Sequence, residues 1–166
     1  MKVTSKTVAE TRFSLSALMN PRDANPLGNV HGGVIMKLVD EAGSIVAMRH
    51  AGYPVVTVAV DSMAFLSPIR VGNLVTCEAE VTFVGHTSIE ARVEVIAENP
   101  YEGSRITANV AYLVYVALDE SGKPVQVPGL ETITPEEKQR AEQAAQRQQL
   151  RKQRRADERM NGDDGR

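Results

Sequence analysis

Two adjacent glycines, Gly32 and Gly33, stand where a loop dense in Pro, Asn and Gly (MNPRDANPLGNVHGG) gives way to helical spacing. A helix that begins there presents free backbone N–H groups and the positive end of its dipole, a ready site for an oxyanion developing at an attacked carbonyl. Asp40 lies inside the same helix, about 10 Å further along at a rise of 1.5 Å per residue. One carbonyl carbon cannot sit within hydrogen-bonding reach of both. A two-fold dimer with antiparallel helices removes the conflict, because one subunit's Asp40 then falls near the other's glycine turn. The spacing therefore predicts an active site shared between subunits.

Other residues with chemical capacity have simpler readings. Taken alone, Asp40 could be a solvated helix carboxylate like Glu41, since most helix acids lie on the surface. Asn25, before Pro26, has the context of a turn residue. His31, beside the glycines, could be a base but reads better as a structural loop histidine. His50, near the helix end, suits a favourable interaction with the helix dipole. Cys77 alternates with apolar neighbours and reads as core rather than nucleophile. Ser44 and Ser88 lack the Gly-x-Ser-x-Gly elbow of a serine hydrolase, and Met36, Met48 and Met63 read as packing residues.

The elements that must position these groups follow from hydrophobic period. Residues 6–18 mix β-branched and polar side chains and read as a first strand. From residue 33 to 51, Ile35, Leu38, Val39, Ala42, Ile45 and Val46 form one buried stripe at helical spacing, and Gly52 suits the left-handed closing position. The period then becomes two: Val75, Cys77, Ala79, Val81 and Phe83 alternate with polar residues, as do Ile89, Ala91, Val93 and Val95, with a turn at Gly85. Residues 55–65 and 105–118 are also strand-like, the last apolar on both faces as an interior strand would be. One strand, one long helix and four strands in succession predict an α+β domain, a single helix packed on an antiparallel sheet.

The chain has 166 residues, 42% of them apolar, enough for one domain with an appendage and too few for two catalytic domains. No stretch approaches the roughly 20 apolar residues of a membrane span, and the N-terminal residues lack the apolar run of a signal peptide. A single Cys excludes an intramolecular disulfide framework and a multi-cysteine metal site. These features predict a cytoplasmic protein. Residues 1–134 carry 10 basic and 14 acidic side chains, whereas residues 135–166 carry 9 and 7. We place the boundary at residues 128–135, where Thr134 can cap a helix, Pro135 fits its first position, and Glu136 and Glu137 favour its positive end. The segment 135–166 is expected to be a polar helix, with GDDGR fraying at its end. Seven basic residues between Lys138 and Arg155 could attract nucleic acid or anionic lipid. Without aromatics among them, a solvated helix that packs on a neighbouring subunit or extends from the assembly is the better reading.

The string DANPLGNVHGGVIMKLVDEAG resembles the acyl-CoA hydrolase subgroup of the hotdog-fold thioesterases. The resemblance continues through VVTVAVDSMAFLSPIRVGNLV and VGHTSIEARVEV to VPGLETITPEE. It implies the hotdog fold, a five-stranded antiparallel sheet wrapped around one long helix, in homodimers that assemble into hexamers as trimers of dimers. It also implies hydrolysis of acyl-CoA to a free acid and CoA. The family's catalytic Asp falls on Asp40, which would activate a water or attack the thioester, and its catalytic Asn falls on Asn25. The N–H groups near Gly32 and Gly33 would hold the thioester oxygen. No metal or cofactor is implied, because a thioester is already an activated acyl group. Where this subgroup often has Arg before Thr-Ser in the turn after the third strand, here stands His86, so His86, Thr87 and Ser88 are candidates for contacts to CoA. Two other classes remain open: a non-catalytic acyl-CoA-binding or regulatory module using the same pocket, and a dehydratase or hydratase, for which His31 lacks the usual context.

Overall fold

The computed structural model describes residues 4–162. The chain enters through a two-residue strand β1 (Lys6–Thr7), a single helical turn α1 (Val8–Thr11) and strand β2 (Phe13–Leu18). The single strand expected over residues 6–18 is thus broken by a local signal. Thr7 Oγ1 accepts from the Glu10 N–H at 3.4 Å while the Glu10 carboxylate accepts from the Thr7 N–H at 2.6 Å, a capping box that closes one helical turn. These bonds to Thr7 hold the exposed Glu10 carboxyl below its ordinary range.

Helix α2 (Gly32–Ala51) follows a loop with one 3₁₀ turn at Pro21–Asp23, and four strands come next: β3 (Val55–Phe65), β4 (Leu74–Val84), β5 (Ser88–Asn99) and β6 (Ser104–Ala117). They form one antiparallel sheet in the order β2-β4-β5-β6-β3. Of the predicted stripe, Ile35, Val39, Ala42 and Val46 are buried, joined by Ala47, while Leu38 and Ile45 are half-buried. With the inward row of β4 and β5 (Val75, Cys77, Ala79, Val81, Ile89, Ala91, Val93 and Val95) and Ala111, Leu113 and Tyr115 of β6, they form the core. Gly52 ends the helix at φ +71°, the left-handed position predicted for it. Strand β6 is interior, as its two apolar faces imply, and lies between β5 and β3.

A short strand β7 (Leu130–Glu131) pairs in parallel with β1, and α3 (Pro135–Gly162) closes the fold. The start of α3 is a capping box: Thr134 Oγ1 accepts from the Glu137 N–H at 3.2 Å, and the Glu137 carboxylate accepts from the Ile133 N–H at 2.8 Å. The first half of α3 is not simply solvated, whereas residues 152–158 are exposed. That first half lies over the outer face of the chain's own sheet, where Glu80 and Glu90 are buried. Arg140 pairs with Glu80, Arg147 with Glu90 at 2.7 Å, and Arg151 with Asp61 and with Glu90 at 3.0 Å. Arg147 also stacks over Tyr112, 3.8 Å from the ring centroid. A carboxylate without solvent requires paired charge, so the basic residues of this segment are used in part as counter-ions of the domain itself. Of the expected frayed end, residues 163–166 lie outside the described residues. Among the described residues no helix is long and apolar enough to cross a membrane.

His50 corrects a second expectation. Its ring is fully buried, and Nε2 donates to the Pro128 carbonyl at 2.9 Å. Burial pushes the imidazole below its ordinary 6.5, so the ring is a neutral strut between α2 and the 128–130 segment rather than a cation on the helix dipole. The unfolded ring binds its proton more readily than the folded one, so stability is complete above pH 6.5 and falls as pH drops below it. The urea midpoint is expected to decrease between about pH 7.5 and about pH 5.5, with a smaller decrease in His50→Gln.

Candidate active site

The loop before α2 folds on Asn25. Its side-chain Oδ1 accepts from the N–H groups of Leu27 at 2.9 Å and Asn29 at 3.2 Å, and its own N–H donates to the Asn29 carbonyl at 2.7 Å. The turn reading was therefore correct as far as Oδ1 goes. The other end of the amide, Nδ2, has no partner among the described residues. Asn25 and Gly32 line one cleft with Asn29, Ser67 and the apolar Val30, Ile35, Phe65, Leu66, Pro68 and Ile69, a mainly apolar hollow with a few polar groups on its wall. The Phe65 ring lies over Gly32, its edge 3.4 Å from where a Cβ would be.

The two glycines are not equivalent. The Gly33 N–H donates to His31 Nδ1 at 2.9 Å, making His31 the helix N-cap, whereas the Gly32 N–H has no acceptor among the described residues. The cradle expected of the glycine pair thus reduces, within one chain, to the Gly32 amide.

Asp40 is elsewhere. Its Oδ1 accepts from Thr57 Oγ1 at 2.8 Å and from Tyr115 Oη at 3.1 Å, and Tyr115 Oη also lies 3.2 Å from the Asp40 backbone carbonyl. Burial and the neighbouring carboxylate raise the Tyr115 phenol above its ordinary range, so it stays protonated and donates. With both bonds on Oδ1, Oδ2 is left without a partner among the described residues. Asp40 does not line the cleft of Asn25 and Gly32.

Thr57 and Tyr115 were not singled out from the sequence. They are one threonine among valines and one tyrosine in an apolar strand, and their role exists only because β3 pairs with β6 in the register Thr57↔Tyr115. Gly43 completes the arrangement: a Cβ there would collide with Tyr115 Oη and stand 3.1 Å from its Cζ.

Thr87 and Ser88 gather with neither group. They line a groove on the outer side with Val58, Gln148, Lys152 and Arg155 of α3, and His86 is exposed beside them. Cys77 is buried in the core, where desolvation pushes its thiol up to about 12, so it is no nucleophile. Among the described residues no group of His, Cys, Asp and Glu is arranged to hold a metal ion.

One long helix held against a five-stranded antiparallel sheet, with a mainly apolar cleft at the helix start and a carboxylate in its middle, is a hotdog fold. The thioesterase superfamily profile matches residues 27–104. The chain is 34% identical to an acyl-CoA hydrolase of Staphylococcus aureus, solved with butyryl coenzyme A, coenzyme A and coenzyme A disulfide. That likeness has a TM-score of 0.88 over 96% of this chain and 97% of the other. It is 41% identical to a hexameric thioesterase of Yersinia pestis, with a TM-score of 0.66 over 69% of this chain and 93% of that one. It is also 41% identical over 139 residues, 82% of its length, to the rat cytosolic acyl coenzyme A thioester hydrolase, and spans 36% of that longer protein. The chain belongs to the hotdog-fold acyl-CoA hydrolases of the thioesterase superfamily.

The packing of Gly43 on Tyr115 can be checked directly. Gly43→Ala is expected to lower stability to urea by about 1–3 kcal/mol, the usual cost of overfilling a packed interior. In a Tyr115→Phe background, where the colliding oxygen is gone, a double-mutant cycle should recover a large part of that loss.

Proposed function

We propose that this protein hydrolyses acyl-CoA to a free carboxylic acid and CoA, in a site assembled from two subunits. The observation that carries the proposal is the division of labour along α2: Gly32 and Asn25, whose N–H and Nδ2 have no partner among the described residues, line one cleft, while Asp40 is held apart by Thr57 and Tyr115. The strand that carries Thr57, β3, is one of the two outer strands of the sheet and, among the described residues, pairs only with β6. Its valines at positions 56, 58 and 60 are 41–49% exposed. An eleven-residue edge with apolar side chains favours pairing with another chain, and an antiparallel second copy would carry each Asp40 toward the opposite cleft. The hexameric relative supports further assembly, which we read as a trimer of dimers.

In this site the thioester oxygen would accept from the Gly32 N–H and Asn25 Nδ2. A donor of this kind typically contributes about 2.7–4 kcal/mol to the transition state. Asp40 Oδ2, free while Oδ1 is held, would take a proton from the attacking water; the C–S bond then breaks and the proton passes to the departing thiolate. In the other route open to the same carboxylate, Oδ2 would attack the carbonyl carbon and expel the CoA thiolate, leaving an acyl anhydride on Asp40 that water then hydrolyses to the free acid. His86, Thr87 and Ser88 are proposed to meet the nucleotide end of CoA. We read residues 1–134 as the hotdog domain and 135–166 as its appended helix, and place the protein in the cytoplasm and in fatty-acid metabolism.

The test is thiol release from a panel of acyl-CoA esters. Wild type is expected to turn over at least one chain length, and Asp40→Asn to fall by about 10²–10⁴-fold. Tight binding of acyl-CoA with no turnover by wild type would instead favour a binding module.

Sharing of the site is tested by mixing. Asp40→Asn and Asn25→Ala subunits, each inactive alone, are unfolded together and refolded. Mixed dimers regain one intact site of two, so about a quarter of wild-type activity is expected for random pairing. No recovery on mixing would place the whole site in one chain.

A further inference from the structure

The His-Gly-Gly sequence at the start of α2 contains a device that the thioester reading leaves unassigned. His31 adopts an extended backbone, φ −64° and ψ 131°, and its own N–H donates to the Asp23 carbonyl at 2.7 Å. Its carbonyl accepts from the Val34 N–H at 3.0 Å, as the first bond of the helix. The imidazole then turns back, and Nδ1 accepts from the Gly33 N–H at 2.9 Å. Caps of this kind are ordinarily made by the oxygen of Ser, Thr, Asp or Asn; here a ring nitrogen does it. The Nδ1–Cε1 edge of the ring lies beside Gly33, so that a Cβ on that residue would stand 3.1 Å from Nδ1 and 3.3 Å from Cε1. Each glycine therefore has its own reason. Gly33 makes room for the ring, and Gly32 faces the cleft with the Phe65 ring over it.

We propose that His31 is a positioning residue. It removes the Gly33 amide from the reaction and fixes the first turn of α2, so that the Gly32 N–H is the one main-chain donor of the glycine pair aimed at the substrate oxygen. The inference rests on the thioester-hydrolase reading above and deepens it. An acceptor at Nδ1 requires the ring proton on Nε2. The imidazole so held is the neutral tautomer, with no lone pair facing the helix start other than the one already used. Its part in the reaction is geometric: a donor placed for the oxyanion acts on the transition state more than on the bound substrate. Loss of the cap should therefore appear in kcat while KM stays nearly constant.

Three variants and one spectroscopic reading test this. His31→Ala removes the cap and is expected to lower kcat roughly tenfold, the rate equivalent of an ordinary N-cap. His31→Asn and His31→Ser retain an acceptor for the Gly33 N–H, and either is expected to restore most of the lost kcat. Gly33→Ala should be severely impaired with His31 present and tolerated in His31→Ser, where no ring opposes the new methyl. Amide hydrogen exchange supplies a reading independent of turnover: the Gly33 amide is expected to be protected relative to Gly32 in wild type and to lose that protection in His31→Ala. A cap-forming variant as slow as His31→Ala would assign the imidazole a chemical role and overturn the proposal. So would an unchanged kcat in His31→Ala, or a Gly33 amide that exchanges as fast as Gly32. Wild type that turns over no acyl-CoA would sink the activity instead, and hydrogen exchange would still decide whether His31 holds Gly33.

Discussion

A carboxylate cannot slide along the helix that carries it. Once the donors sit at the first turn of α2 and Asp40 two turns further on, their separation is set by the helical rise at about 10 Å or more. In the proposed reaction the donors must meet the thioester oxygen while the carboxylate meets the water, or the carbon, on the attacked face, each at roughly 3 Å. No adjustment of loops or rotamers within one chain closes that gap, because α2 is pinned along its length against the core row of β4 and β5. The proposed exchange of carboxylates between two copies satisfies the constraint without bending the helix, and it gives the exposed, unpaired edge of β3 a use.

Around that constraint, the fold arranges small things in a definite order. Gly43 removes a side chain so that Tyr115 can lie against α2, and Tyr115 and Thr57 then meet on the same oxygen of Asp40. Both partners belong to adjacent strands, β6 and β3, and β3 carries register shifts between Thr57 and Ala59 and again between Val60 and Ser62. Each shift changes the face to which the strand's residues point. As a result one short strand sends Thr57 inward to Asp40 and Asp61 outward to Arg151 of α3. The face that holds Asp40 and the charge-clamped outer face thus share β3.

Much of this architecture was legible in the chain. The long helix and the four strands after it were read from changes of period, because each buries one face and so must repeat its apolar residues at 3.6 or at 2. The predicted helix began one residue late, at Gly33 rather than Gly32, since nothing in a Gly-Gly pair distinguishes a cap from a first turn. The entry strand was read as continuous because the capping box of Thr7 and Glu10 is only four residues long and leaves no periodic trace. His50 was misplaced for a different reason. A histidine near a helix end has the same composition signal whether it faces water or a Pro128 carbonyl, and only packing separates the two.

The candidate site divides in the same way. Asp40, Asn25 and the glycine pair could be named from their order along the chain, because a loop, a helix start and a mid-helix acid lie close together in sequence, where local rules operate. The neighbours that give these residues their chemistry come from far away: Thr57 and Tyr115 through strand register, Phe65 over Gly32, Arg147 and Arg151 on Glu90. Charge and composition identified a basic helix, but not that its arginines neutralise carboxylates buried beneath it. Local order determined which groups are available. Long-range pairing decided which atoms of those groups remain free, because a hydrogen bond consumes a specific lone pair or proton and its partner is chosen only when the sheet closes.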